Sequence, residues 1–446
     1  MPPSIQTFKI RLAYASRGLS TASSAHAACL ASHSKYRFYS AASLPSASAV
    51  IVGGGPGGIT VLGNLLEHSA QLSADQGKLV WVDPQFQGGR VNLRYREVPS
   101  NTKVSLFVQF AHDVSPFRTI AEATPKPNAL TALQELPQDK GCRLSYAADM
   151  CLMLTKGLTV HPQVHSHEGK VTSATLDERT DTWTVTFENG QSVETPKIAL
   201  CTGSRPVSTT LPGTENIQNL SPIDLDVALM PSALVTIFDP AARTTVAVVG
   251  ASHSAILVLM NLVNLASSSH PHLRIKWFTR NKLRYAEYMD GWILRDNTGL
   301  KGQAAEWARQ NLDDEAFPNS PVNQFIKKVW TSGREEEVYK QELPECTHII
   351  QAVGYARNPL PRLEVIEKDG GDAKSLQVEY DNLSGRFFKQ DGAKLENEKK
   401  YVPGLFGAGI AFPERVTDPH GNVEHAVGFW KFMKFVKKVV PEWIKS

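Results

Sequence analysis

Gly53, Gly55 and Gly58 follow an apolar, β-branched run that begins near Ser48, and they lead into a second apolar stretch. In this G-x-G-x-x-G spacing the first glycine permits a tight turn and the second lets backbone approach a pyrophosphate. The third allows a helix to pack closely on a strand. The N–H groups and positive end of that helix would then face phosphate. The next β-rich run, Lys78 to Asp83, ends in a carboxylate that can accept hydrogen bonds from ribose hydroxyls. A second constellation, Gly250-Ala251-Ser252-His253-Ser254, follows Thr245–Val249 and precedes the apolar stretch Ile256 to Ala266. Here Ser252 replaces the second glycine and Ser254 stands near the third position; both are small, and a serine hydroxyl can donate to phosphate. The run Leu273 to Phe278 then leads into Arg280, with Lys282 and Arg284 close behind. Cations where an NAD site carries a carboxylate suit a 2′-phosphate, so NADPH is expected rather than NADH. His253 reads either as a ribose or phosphate contact or as a solvated turn histidine.

Each constellation needs a strand, a turn, a helix and a second parallel strand, which is α/β architecture. With 446 residues the chain has room for two or three domains, and 42% apolar with 20% charged residues is an ordinary globular balance. The formal charge of +3 is unevenly spread: residues 1–45 carry five Lys or Arg and no acid, so the remainder is slightly acidic. Nothing in that distribution supports nucleic-acid binding. The leader also holds 18 Ser or Ala, the composition of a mitochondrial transit peptide, which predicts the matrix as destination with cleavage after Tyr39. The five cysteines include no CxxC pair, which argues against a disulfide framework, a zinc site and a redox dithiol. Cys142 and Cys151 read as structural.

Two dinucleotide units in one chain resemble the two-dinucleotide-binding-domain flavoproteins, across roughly residues 48 to 430. Ile198-Ala199-Leu200-Cys201-Thr202-Gly203 is similar to the strand and turn that lead from the FAD domain to the NADPH domain, and Gly203 is carried over from it as a cofactor-binding residue. Ile349 to Tyr355 is similar to the ATGY stretch of N-hydroxylating and flavin-containing monooxygenases. Val402 to Gly409 resembles the last FAD-contacting strand and turn, which brings in Gly407 and Gly409; Ile410 stands where an aspartate is usual, leaving backbone N–H groups to serve. The resemblance implies two Rossmann-like domains, with the NADPH domain (226–355) inserted into an FAD domain (46–225 and 356–446). Its cofactors would be FAD and NADPH. It also covers pyridine nucleotide-disulfide oxidoreductase-like proteins, from which this chain departs by lacking the cysteine pair.

Gly88-Gly89-Arg90 and Glu97 to Lys103 look like the segment of flavin-containing monooxygenases in which an asparagine faces the flavin, here Asn101. By that resemblance Asn101 is the candidate catalytic residue, beside a C4a-peroxyflavin that oxygenates a small organic substrate. A turn reading of Ser100-Asn101-Thr102 stands beside it. The alternative reaction is an NAD(P)H dehydrogenase passing electrons to a quinone, and a third reading is a nucleotide-binding redox sensor. The C-terminal stretch, Glu424 to Ser446, is amphipathic; packing over the flavin or a homodimer contact is favoured for it over a peripheral membrane contact. Pro413 to His425 is expected to form a loop.

Overall fold

A computed structural model describes residues 46–71, 77–215, 217–390 and 400–446; the leader and its cleavage signal lie outside the described residues, as does the middle of the connection expected after Glu67. The strand Ala49–Val52 sits between Leu79–Asp83 and Ile198–Leu200, parallel to both. It reads as continuous apolar sequence because both faces are covered. Val164–Glu168 extends this sheet on one side. On the other, Tyr401–Gly407 joins in parallel, followed by the antiparallel strands Arg386–Lys389 and Val378–Tyr380, making seven strands. Chain from both ends of the sequence therefore shares one sheet. A second, wholly parallel sheet has the order Ile326–Trp330, Leu273–Thr279, Thr244–Val249, His348–Gln351, Ser221–Ile223. Its last strand begins just ahead of residue 226.

The seven-stranded sheet is covered on one face by helices Pro56–Glu67, Val104–His112, Leu144–Thr159 and Phe429–Lys445, which share one apolar core. Its other face packs on a five-stranded layer through Val50, Val80 and Val82 against Trp183, Val185 and Leu363. Five helices between Arg90 and Thr159 form an insert between the second and third strands of the parallel order. The C-terminal helix starts at Phe429, not Glu424, and buries Phe432, Met433, Val436, Val440 and Trp443. Each such side chain gains roughly 1.5–3 kcal/mol by leaving water. That face lies on the helices Pro56–Glu67 and Val104–His112 within this chain, so it is covered without a membrane or a second copy. The segment expected as a loop instead forms a hairpin, Glu414–Thr417 with Val423–Ala426, whose tip residue His420 meets Trp292 edge to face. Among the described residues no helix is long and apolar enough to cross a membrane.

Candidate active site

The two glycine turns are built alike. In the first, Trp81 on the second strand donates its indole N–H to the carbonyl of Gly53 at 3.0 Å; in the second, Trp277 donates to Gly250 at 2.7 Å. A Cβ on Gly53 would lie 2.3 Å from the Cys201 carbonyl oxygen, and one on Gly250 would lie 2.4 Å from that of Ala352. Each turn is thus clamped between its second strand and the segment the sequence pairs with it. Gly58 packs against Gly53 as expected: a Cβ there would meet the Gly53 oxygen at 1.8 Å.

Around the first turn three glycine segments converge. Gly89 has φ +67°, and a Cβ on it would lie 2.7 Å from the Gly55 Cα; a Cβ on Gly409, at φ +87°, would lie 3.1 Å from the Gly57 Cα. Bare backbone therefore lines a narrow crevice at the N-terminus of the helix Pro56–Glu67, whose N-cap is Gly55 and which has no side-chain cap. Such a crevice fits a pyrophosphate. Asp83 borders it: Oδ2 accepts from Gly54 N–H at 2.6 Å, and Oδ1 accepts from the N–H groups of Gln85 and Phe86. Part of the acceptor capacity expected for ribose thus holds the turn, with capacity left on Oδ2. Thr202, in the turn that resembles the FAD domain's exit, carries a buried hydroxyl with no partner. A bound group with polar atoms would satisfy it. Gly203, at φ +73°, stands next to Asn358, whose amide donates to the Thr202 carbonyl at 2.8 Å. Gly407 faces elsewhere: a Cβ on it would meet Phe412 at 2.8 Å, so it serves the aromatic cluster rather than the crevice.

The second turn opens on a cavity of about 790 Å³ that gathers Gly250, Ser252, Arg280, Lys282 and Arg284. Ser252 is the N-cap of the helix His253–Ser268, yet its hydroxyl makes no capping bond. Arg280 is exposed and has no carboxylate within ion-pair distance among the described residues, whereas Lys282 lies 3.4 Å from Asp314. Arg280 stands near enough to Tyr339 to oppose the upward push that burial gives that phenol. Ser254 does not line this cavity; its hydroxyl lies 3.5 Å from that of Tyr355. His253 is not a solvated turn residue. Its Nδ1 is buried without a partner, and burial, aided by the charge of Lys301, pushes its pKa down to about 4. It is therefore neutral near pH 7.

Asn101 lies on neither turn. It is exposed and lines a separate cavity of about 620 Å³ between the helical insert (Pro99 to Lys103, Asp139 to Arg143) and a stretch of the second nucleotide unit, Ala286 to Arg309. Its closest recorded partner is Thr102, whose hydroxyl sits 3.5 Å from Oδ1. Glu424 ties the far wall to the C-terminal hairpin, accepting from the Asn297 backbone N–H at 3.0 Å and from its side-chain amide at 3.1 Å. One cluster was not foreseen in the sequence: Arg90, immediately after Gly89, pairs with the buried Asp226, which also accepts from Tyr95 Oη at 2.9 Å. Burial, with the Asp226 charge adding to it, drives the Tyr95 phenol well above its ordinary pKa. Burial pushes the Cys142 thiol up to about 11 and Cys201 up to about 12, which disfavours their thiolate forms near pH 7.

A family model described as FAD-NAD(P)-binding matches residues 50–205, the stretch holding the first crevice. Monooxygenase AgnR1 of Paecilomyces divaricatus is 54% identical over 406 residues, covering 90% of this chain and 98% of that protein. The chain belongs to this flavin-dependent monooxygenase family. Its cofactors are FAD and NADPH, and the two clamped turns fit them. Among solved structures, the flavin-containing monooxygenase of Stenotrophomonas maltophilia aligns with TM-score 0.53 at 14% identity, covering 90% of this chain and 99% of that one, a likeness of fold. An ε-caprolactone-bound cyclohexanone monooxygenase aligns at TM-score 0.38 and 19% identity over 60% of this chain; the match spans 45% of that enzyme's length. Within the family fold, the Arg90–Asp226–Tyr95 cluster ties the chain beside the first crevice to the start of the second unit.

Proposed function

We propose that this monooxygenase inserts one oxygen atom into a small organic substrate held in the Asn101 cavity. Substrate, O₂, NADPH and a proton would yield the oxygenated product, water and NADP⁺. Bound FAD supplies the redox centre that NADPH reduces and O₂ reoxidises. The observation that carries the assignment of the two nucleotides is the contrast between like-built turns. One is flanked by the Asp83 carboxylate, the other by the unpaired Arg280 guanidinium. Arg280 would bind the 2′-phosphate through its planar fork of donors, and the Ser252 hydroxyl would donate to the pyrophosphate. The Asp83 Oδ2 has capacity left for a ribose hydroxyl.

Asn101 is the residue we assign to the reacting edge. Its amide N–H₂ has no protein acceptor among the described residues, so it is free to orient a bound group, and Pro99, Leu300 and Ala305 supply apolar surface beside it. The family name of the 54% relative supports oxygenation over electron transfer to a quinone. FAD-loaded protein supplied with NADPH, ¹⁸O₂ and a panel of small aromatic compounds should give a product carrying one ¹⁸O per NADPH consumed. NADPH consumption that yields only hydrogen peroxide across the panel, with rapid turnover on an added quinone, would overturn the proposal.

We also propose that residues 1–45 direct the chain to the mitochondrial matrix, from their acid-free Arg/Ser/Ala composition. A reporter fused to them should colocalise with mitochondria, and diffuse fluorescence would refute this.

A further inference from the structure

The cavity beside Asn101 is asymmetric in charge. Its lining includes Lys103, Lys140, Arg143, Lys301 and Arg309 against two carboxylates, Asp139 and Glu306. Two of the cations are engaged: Lys301 Nζ lies 2.8 Å from an oxygen of Asp296, and the Arg309 guanidinium sits 3.9 Å from the centre of the Tyr285 ring. The other three, all on the wall from the helical insert, have no carboxylate within ion-pair distance among the described residues. Lys103 stands 5.7 Å from the ring centre of Tyr288, which crosses from the opposite wall and is two-thirds exposed. The remaining surface includes Pro99, Ala286, Leu300 and Ala305. One side thus offers three cations against one carboxylate, Asp139, and the other an aromatic face beside aliphatic groups.

We infer that the substrate of this enzyme is an aromatic molecule bound as its anion, a carboxylate or phenolate, with the charged group on the Lys103–Lys140–Arg143 wall and the ring against Tyr288. This rests on the Asn101 cavity being the substrate site. An unpaired cationic wall in a partly enclosed cavity raises the local concentration of anions and favours the ionised form of an acid. Ionisation also suits the reaction, since a phenolate or a carboxylate-bearing phenol is a more electron-rich acceptor for oxygen than its neutral form. The cofactors are assigned elsewhere: the NADPH phosphates to the cavity of Arg280, Lys282 and Arg284, which shares no lining residue with this one, and the FAD pyrophosphate to the glycine crevice.

The test uses the FAD-loaded enzyme and a matched pair of probes, 2-naphthoate and 2-naphthamide, which differ in charge but little in shape. Perturbation of the bound flavin's absorbance reads binding to the oxidised enzyme without turnover. Naphthoate should bind about tenfold or more tighter than naphthamide, as one or two charge-assisted contacts imply, and its affinity should fall as salt is raised. Arg143→Met and Lys140→Met should each remove most of that preference, Arg143→Lys should restore part of it, and the KM for NADPH should stay unchanged in all three. Both side chains are exposed, and retained flavin in each variant checks the fold. Equal binding of the two probes, or absence of binding by either, overturns the inference. A rise in the KM for NADPH in Arg143→Met also overturns it, by giving the wall to the cofactor. Anaerobic reduction of the flavin by NADPH in the same preparation separates the two claims. If reduction proceeds and the probes bind alike, the substrate class alone is wrong; if NADPH fails to reduce the flavin, the functional reading is wrong whatever the probes do.

Discussion

Replacing Arg280 with alanine removes a guanidinium that lines the second cavity, just beyond the strand Leu273–Thr279, with no carboxylate within ion-pair distance among the described residues. Because Arg280 is exposed and unpaired, its removal leaves no buried charge behind, and the loss should appear in cofactor affinity rather than in stability. A charge-assisted hydrogen bond contributes roughly 1.5–3 kcal/mol; solvent exposure puts the expected loss near the lower end, about 2 kcal/mol or thirtyfold. Lys282, shared with Asp314, should contribute less. The assay is the rate of anaerobic flavin reduction against cofactor concentration, for NADPH and NADH in parallel. Arg280→Ala should raise the half-saturating NADPH concentration about thirtyfold and leave that for NADH almost unchanged. Equal effects on both cofactors would refute the assignment of this guanidinium to the 2′-phosphate.

Other perturbations reach the rest of the framework. Gly89→Ala would place a methyl 2.7 Å from the Gly55 Cα at a positive φ, so purified protein should lose most of its flavin; a full flavin-to-protein ratio would contradict the crevice. Asp226→Ala leaves Arg90 and Tyr95 without their shared acceptor and should lower unfolding free energy by about 2–3 kcal/mol, read by urea titration, whereas an unchanged midpoint would show the cluster to be idle. Trp443→Ala removes a buried ring stacked 4.7 Å from Phe406 and should cost roughly 3–5 kcal/mol; a loss below about 1 kcal/mol, typical of surface positions, would mean that the C-terminal helix is not docked as described. His253 has a folded pKa of about 4 against an ordinary 6.5, so the unfolded chain binds the extra proton between those values. Stability is therefore complete above pH 6.5 and declines as pH falls towards 4, by at most about 3 kcal/mol. His253→Gln should flatten that slope, and an identical pH profile would refute the burial of this imidazole.

Both nucleotide turns were legible in the sequence because their physics is local: a strand, a glycine or serine turn, a helix, and a second strand with its terminal charge lie within one short stretch. The flanking residues were legible for the same reason, Asp83 at one turn and Arg280 at the other. The crevice wall was only half legible. Gly88-Gly89-Arg90 drew notice by composition, but the approach of Gly89 to Gly55 and of Gly409 to Gly57 depends on how distant segments stack. The Arg90–Asp226 pair spans too much sequence to leave a spacing signal, as does the cavity that sets Asn101 opposite Tyr288. His253 stayed open between a nucleotide contact and a solvated turn because a turn position alone does not report the burial of its imidazole near Lys301. The C-terminal helix showed its apolar face plainly, while the helices that cover it came from elsewhere in the chain.

The central claim is that NADPH bound at the Arg280 turn reduces FAD held in the glycine crevice and that O₂ then reoxidises it with transfer of one oxygen atom to the substrate. Stopped-flow absorbance tests it most directly: FAD-loaded enzyme is reduced anaerobically with one equivalent of NADPH and then mixed with oxygenated buffer. The account predicts rapid bleaching of the flavin by NADPH, followed on oxygenation by a transient absorbance distinct from both oxidised and reduced flavin. Direct single-step return of the oxidised spectrum with stoichiometric hydrogen peroxide, or no bleaching by NADPH, would contradict it.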